Sequence, residues 1–162
     1  MKDKEFTFNG QREHEKVLEV VKNHPFVLFW PGLKAIFFLI LGIATVLYIS
    51  SQITGFVLVI CALIAIGIFS RHYYDYSQSM FLITNQRIIN VFQDGFWKRK
   101  IIETEISKIQ DASSKTSGVF RVVLKFGDLI IRTAGTSEGG EIIVRNIPNP
   151  YSVQQRIANI KQ

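Results

Sequence analysis

Hydrophobic residues form two unbroken runs in the first half of the chain and recur at short intervals through the second. Residues 33–49 (LKAIFFLILGIATVLYI) and 53–69 (ITGFVLVICALIAIGIF) carry no polar stripe at helical spacing, so neither predicts an amphipathic surface helix. As a helix each run covers roughly 25 Å, a little short of a ~30 Å hydrocarbon core. Trp30 and Pro31 extend the first run, and residues 70–74 extend the second. Lys34 falls at a helix end, where its stem can carry the ammonium out to the headgroups. Only Ser50, Ser51 and Gln52 separate the runs, which predicts a tight antiparallel transmembrane hairpin. A buried helix pair in a soluble protein would need protein around every face, and the rest of the chain is too small to supply it. A signal peptide would not follow a charged 32-residue lead, and no small-residue cleavage site is present.

Ahead of the runs, residues 9–22 (NGQREHEKVLEVVK) place Val17, Leu18 and Val21 on one helical face, with Asn9 as N-cap and Pro25 as the stop. A short amphipathic helix is therefore expected within the lead, residues 1–32. After Arg71 the period falls to two. Strands are expected over 75–83, 88–93, 96–103, 109–115, 129–133 and 141–147. A polar turn at Thr84-Asn85-Gln86-Arg87, a hairpin at Asp94-Gly95, bends at Gly118 and Gly127 and a loop over 135–140 divide them. After Pro148-Asn149-Pro150, Val153, Ile157 and Ile160 recur at helical spacing over 151–160. Six or seven short strands with a terminal helix predict a β-sandwich or open barrel over 71–162, capped by that helix. The expected whole is an α+β membrane protein with a lead (1–32), a two-helix hairpin (33–70) and a β domain (71–162).

Charge changes the picture in one respect. The chain carries a net +6, and residues 71–162 hold thirteen Lys and Arg against eight Asp and Glu. That excess points to an anionic partner. With the domain tethered to a membrane, lipid accounts for the basicity and nucleic acid is not expected. Every Lys and Arg lies outside the uncharged connector between the runs. The positive-inside rule then places both termini in the cytoplasm, as a two-span protein of the cell membrane. Trp30, Lys34, Arg71, Tyr73 and Tyr74 mark the interface, with Tyr76 beside them. Beside the Asp94-Gly95 hairpin stands Trp97-Lys98-Arg99-Lys100. Such a cluster suits anionic headgroups or a protein partner, with the indole in the interface. It equally suits a solvated edge strand, whose lysines block unwanted pairing.

Catalytic and metal chemistry find little support. His14, His24 and His72 are scattered without ligand spacing, and the single cysteine, Cys61, sits inside an apolar run. Gly135 to Gly140 has the glycine spacing of a P-loop, but Glu141-Ile142 follow where Lys and Ser or Thr belong. No Gly-x-Ser-x-Gly occurs, and nothing near Asp111 and Gln110 completes a site. No enzyme activity, cofactor, metal or small-molecule substrate is expected.

Several segments together resemble the bacterial pleckstrin-homology-like membrane proteins of the YdbS-like group. They are Tyr73-Tyr74 before a strand, Leu82-Ile83-Thr84-Asn85-Gln86-Arg87-Ile88-Ile89, and Glu105-Ile106-Ser107-Lys108-Ile109-Gln110-Asp111. Gly118-Val119-Phe120, Phe126-Gly127-Asp128-Leu129, Asn146-Ile147-Pro148-Asn149-Pro150 and the upstream His24-Pro25 complete the likeness, which covers roughly residues 20–160. The resemblance implies two curved, nearly orthogonal sheets with a C-terminal helix plugging one open end. It implies a structural role for the Thr84-Asn85-Gln86-Arg87 turn, with Arg87 bonding loop carbonyls. Functionally it implies a membrane-anchored binding or adaptor module that engages protein partners, itself or membrane lipids. Eukaryotic pleckstrin-homology domains bind inositol phosphates through basic residues of their first hairpin. Here Lys98-Arg99-Lys100 falls at a later one, so inositide recognition is not implied. A second reading is an auxiliary subunit of a transporter or envelope complex acting through the hairpin, where Gly42, Gly55 and Gly67 would permit close helix contact.

Overall fold

The computed structural model describes residues 10–49, 53–134 and 140–161. Asn9, the connector Ser50-Ser51-Gln52 and residues 135–139 of the expected loop lie outside the described residues. The chain divides into two compact units. One comprises the described parts of Met1–His24, Ser79–Phe92 and Arg99–Gln162, and the other Pro25–Gln78 with Gln93–Lys98.

The first unit is built from antiparallel strands and two helices. Strands β1 (Val17–Lys22), β2 (Met80–Thr84), β3 (Arg87–Asp94) and β4 (Lys98–Glu105) form a four-stranded sheet in that order. Strands β5 (Ile109–Lys115), β6 (Phe126–Thr133) and β7 (Glu141–Pro148) form a three-stranded one. Phe81, Ile83 and Ile88 of the first sheet meet Leu129, Ile131, Ile142, Val144 and Ile147 of the second in one core. The C-terminal helix Pro150–Lys161 adds Val153 and Ile157 to that core, as their helical spacing predicts. Full burial of each such side chain is worth about 1.5–3 kcal/mol. On the other face of the first sheet, Leu82, Ile89 and Val91 are buried, with Val17, Val20 and Met80 packed against them.

The lead does not form the expected helix. Residues of its apolar face lie in β1, which pairs antiparallel with β2 through Val20↔Leu82, Val21↔Phe81 and Lys22↔Met80. A bulge between Val17 and Glu19 interrupts the alternation. It brings Val17 to the same face as Val20, opposite the core-facing Val21, while Leu18 stays exposed. Three β-branched valines favour this outcome locally, and the pairing with β2 settles it. Arg156 on the C-terminal helix reaches back to Glu19 at 3.3 Å.

Three further expectations are corrected. The strand placed over 75–83 begins only at Met80, because the preceding helix runs through Gln78 without a Gly or Pro to stop it. The strand placed over 96–103 begins at Lys98 and leaves Trp97 in the turn. The bend at Gly118 opens a five-residue helix, Val119–Val123, and Gly127 lies inside β6 rather than at a bend. A Cβ at Gly127 would stand 2.6 Å from the Lys115 carbonyl oxygen, so glycine is needed there for close strand approach.

In the second unit, α1 (Phe29–Tyr48) and α2 (Thr54–Gln78) pack along a seam of small residues. With the two short helices above being α3 (Val119–Val123) and α4 (Pro150–Lys161), these complete the α-helices among the described residues. Ala35 and Gly42 on α1 and Cys61 and Ala65 on α2 are buried, as is Pro31, while most of the larger apolar side chains point outward. A Cβ at Gly42 would lie 3.0 Å from that of Cys61, whereas among the described residues a Cβ at Gly55 or Gly67 would meet nothing within 4 Å. Of the three glycines expected at close helix contacts, Gly42 alone therefore serves the α1–α2 crossing. The helical stretches Pro25–Tyr48 and Thr54–Gln78, of 24 and 25 residues, are long and apolar enough to cross a membrane.

Candidate functional site

The Thr84-Asn85-Gln86-Arg87 turn joins β2 to β3, and each of its side chains bonds the lead or the turn itself. Asn85 accepts from the Lys16 N–H at 2.8 Å through Oδ1 and donates to the His14 carbonyl at 3.1 Å. Gln86 donates to the Glu13 carbonyl at 3.1 Å, and Arg87 Nη2 to that of Gly10 at 2.7 Å. Thr84 Oγ1 lies 2.9 Å from Glu15 Oε1 and 2.8 Å from the Arg87 carbonyl, the two acceptors within reach of its one proton, and accepts the Arg87 N–H at 2.9 Å. The turn thus straps residues 10–16 alongside the sheet and feeds β1 into its register.

A buried ion pair lies under this strap. Arg87 donates to Glu15 through Nε at 2.9 Å and Nη2 at 3.0 Å, and its Nη1 binds Glu103 on β4. Glu15 and Arg87 are both buried, whereas Glu103 is open to solvent. Burial pushes the Glu15 carboxyl up. Hydrogen bonds from Arg87, the Arg12 N–H and Thr84 outweigh it and hold Glu15 at about 2, well below the ordinary 4.5. The hydrogen bond to Glu15 raises Arg87, against the effect of burial. Because the folded Glu15 value is depressed, its stabilisation is complete above pH about 4.5 and is lost as pH falls toward 2. The total is about 3 kcal/mol. Thermal melts from pH 5 to 2 should show this loss in the native chain and much less of it in Glu15→Gln. Equal slopes for the two chains would argue against the ion pair as the acid-sensitive element.

The Asp94-Gly95 hairpin has a different character. Its tip belongs to the helical unit and is fastened to the last turns of α2. The Gly95 N–H donates to Asp75 Oδ1 at 2.7 Å, the Phe96 ring packs on Tyr74 at 4.9 Å, and Arg71 lies 3.9 Å from Asp94. Gly95 adopts φ +70°, as a tight hairpin requires. With Phe96 held, Trp97 projects fully, 96% exposed. Lys98, Arg99 and Lys100 follow it as consecutive exposed positions of β4. Arg71, Asp94, Phe96, Trp97 and Lys98 line a groove of about 280 Å³. Tyr73 stacks on Phe69, Trp30 meets the edge of Phe29, and Lys34 is exposed on α1.

Among the described residues, no cluster of three or more His, Cys, Asp or Glu could hold a metal ion. Glu15 and Glu103 are the site residues that sequence reasoning missed. They stand 72 and 16 positions from Arg87, and neither spacing carries a periodic signal.

A model of the bacterial PH domain matches residues 31–161. The chain belongs to the bacterial PH domain family. The match takes in both long helices of this bacterial PH chain and stops short of β1, the strand that completes its first sheet. A solved structure, a DUF1696 family protein with a pleckstrin-homology domain from Shewanella loihica, is similar at 20% identity and a TM-score of 0.42. That similarity covers 54% of this chain and 74% of the other. No curated protein matches the chain. Membership in the bacterial PH family suggests a binding or adaptor module, the usual non-enzymatic role of PH-like domains.

Proposed function

We propose that this protein is a membrane-anchored adaptor whose bacterial PH domain faces the cytoplasm and meets anionic lipid headgroups through Trp97, Lys98, Arg99 and Lys100. In this reading α1 and α2 cross the bilayer, both termini are cytoplasmic, and protein partners assemble on the tethered domain. Trp30, Lys34, Arg71, Tyr73 and Tyr74 anchor the helix ends in the interface. The outward-facing apolar surface of the helical pair supports the anchoring, because a soluble monomer rarely exposes contiguous apolar area on this scale. The observation that carries the headgroup contact is the projection of a bare indole directly ahead of three exposed cations. An indole settles at the boundary of headgroups and acyl chains. Each Lys or Arg near an anionic leaflet contributes about 1 kcal/mol, so three give ~3 kcal/mol, roughly 150-fold in equilibrium.

The test uses the full chain in vesicles with Trp30→Phe, so that Trp97 alone reports. Its emission should shift to the blue in anionic vesicles relative to neutral ones, and the shift should fade with salt. Lys98→Ser/Arg99→Ser/Lys100→Ser should abolish the shift while leaving the melting temperature nearly unchanged. An unchanged shift in the triple variant would make the cluster a solvated edge.

A further inference from the structure

Helix α3 reverses the usual arrangement of a surface helix. Its polar residue points inward: Arg121 binds Asp128 at 2.8 Å and Asn146 Oδ1 at 3.0 Å, and its guanidinium lies over the Phe126 ring. Its apolar residues point outward, with Val119 76%, Val122 62% and Val123 71% exposed, and Phe120 exposed beside them. Asp128 also accepts the Asn146 N–H at 2.9 Å, in a strand where Asn146 takes φ +55°. The clamp on Arg121 is thus set by two strands, and it holds the valines away from the core. Exposed Lys115 and Lys125 bracket the helix.

The same corner of the domain holds the point where the chain departs for the long helices. His24 donates its N–H to the Asn146 carbonyl at 2.7 Å and stacks its ring on Phe126 at 4.7 Å. Only the short turn Pro25–Leu28 then precedes α1. If α1 enters a bilayer, the chain leaves this unit for that bilayer from beside α3.

We infer that α3 is a second, apolar membrane contact, which seats Val119, Val122 and Val123 at the boundary of headgroups and acyl chains. Lys115 and Lys125 would meet the phosphates around it. Exposed apolar side chains with a lysine before and after them in the chain match a lipid interface in both respects. The inference rests on the membrane reading of α1 and α2 but not on the Trp97 patch. Apolar insertion persists at high salt, where headgroup attraction by Lys98, Arg99 and Lys100 is screened.

The experiment places an environment-sensitive label on the full chain in vesicles of mixed neutral and anionic lipid, in a Cys61→Ser background. Labels go at Val123→Cys, at Leu47→Cys on α1 and at Gln155→Cys on α4. The Val123 label should lose intensity to a quencher carried on the lipid chains near the headgroup, resist an aqueous quencher, and keep this behaviour at high salt. The Gln155 label should do the reverse. Adding Val119→Asp/Val122→Asp should abolish the lipid quenching at Val123 without lowering the melting temperature, since both positions are exposed. Quenching at Leu47 without quenching at Val123 overturns the inference and leaves the membrane reading standing. Shielding of Val123 from both quenchers means a protein surface, such as a second copy, covers α3, and overturns it too. No quenching at Leu47 removes the membrane reading, and this inference with it.

Discussion

Arg87→Ala should cost about 3–5 kcal/mol of stability, because it strands the Glu15 carboxylate in the protein interior without its counter-charge. Typical domains have only about 5–15 kcal/mol in hand. The variant should therefore melt far lower and lose the strap, which a protease would report as early cleavage within residues 10–16. Removing both charges together, as Arg87→Met/Glu15→Met, should recover much of the loss, since no buried ion is then left alone. The shortfall of the double variant below the summed single effects measures the coupling. A melt of Arg87→Ala within about 0.5 kcal/mol of the parent would show that the ion pair contributes nothing to the fold.

Removing Pro25–Gln78 altogether should leave a folded, soluble, β-rich domain. Lys22 and Met80 are already cross-strand partners, so Asn23, His24 and Ser79, with a glycine added, suffice for a hairpin loop between β1 and β2. Residues 72–162 alone should fare worse. Without β1 the strand Met80–Thr84 becomes an open edge, and Val21 is missing from the core. Circular dichroism, melting cooperativity and size-exclusion behaviour would compare the two chains directly. A cooperative, monomeric 72–162 would mean that β1 is dispensable. An aggregated excised chain would mean that the domain needs its helices to fold.

What could be read in advance follows from the range of the interactions involved. The helical pair and α4 announce themselves because their signals are local: long apolar runs in one case, Val153 and Ile157 a turn apart in the other. Strand β7 alternates buried and exposed positions from Glu141 to Arg145 and was legible for the same reason. The lead was not, since its bulge breaks the period over the few residues that would have shown it. Helix α3 reads as part of a bend because five residues after a glycine are too few to display a helical period. The Thr84-Asn85-Gln86-Arg87 turn was visible as a motif, but what it holds was not. Glu15, Gly10 and Lys16 come to it only through folding.

Because both long helices are inserted between two adjacent strands, the order of synthesis constrains assembly. β1 emerges from the ribosome before the helices, and its partner β2 only after them. Until then Val17, Val20 and Val21 have no sheet to join, and the Glu15 carboxylate has no arginine to bind. Were the intervening chain flexible, bringing Lys22 to Met80 would cost on the order of 4 kcal/mol in closure entropy. Pairing of α1 with α2 brings the two ends of that segment together beforehand. The helical hairpin therefore lowers the closure cost that β1 and β2 must meet, and faults in its packing at Gly42 should surface as slow or failed sheet closure.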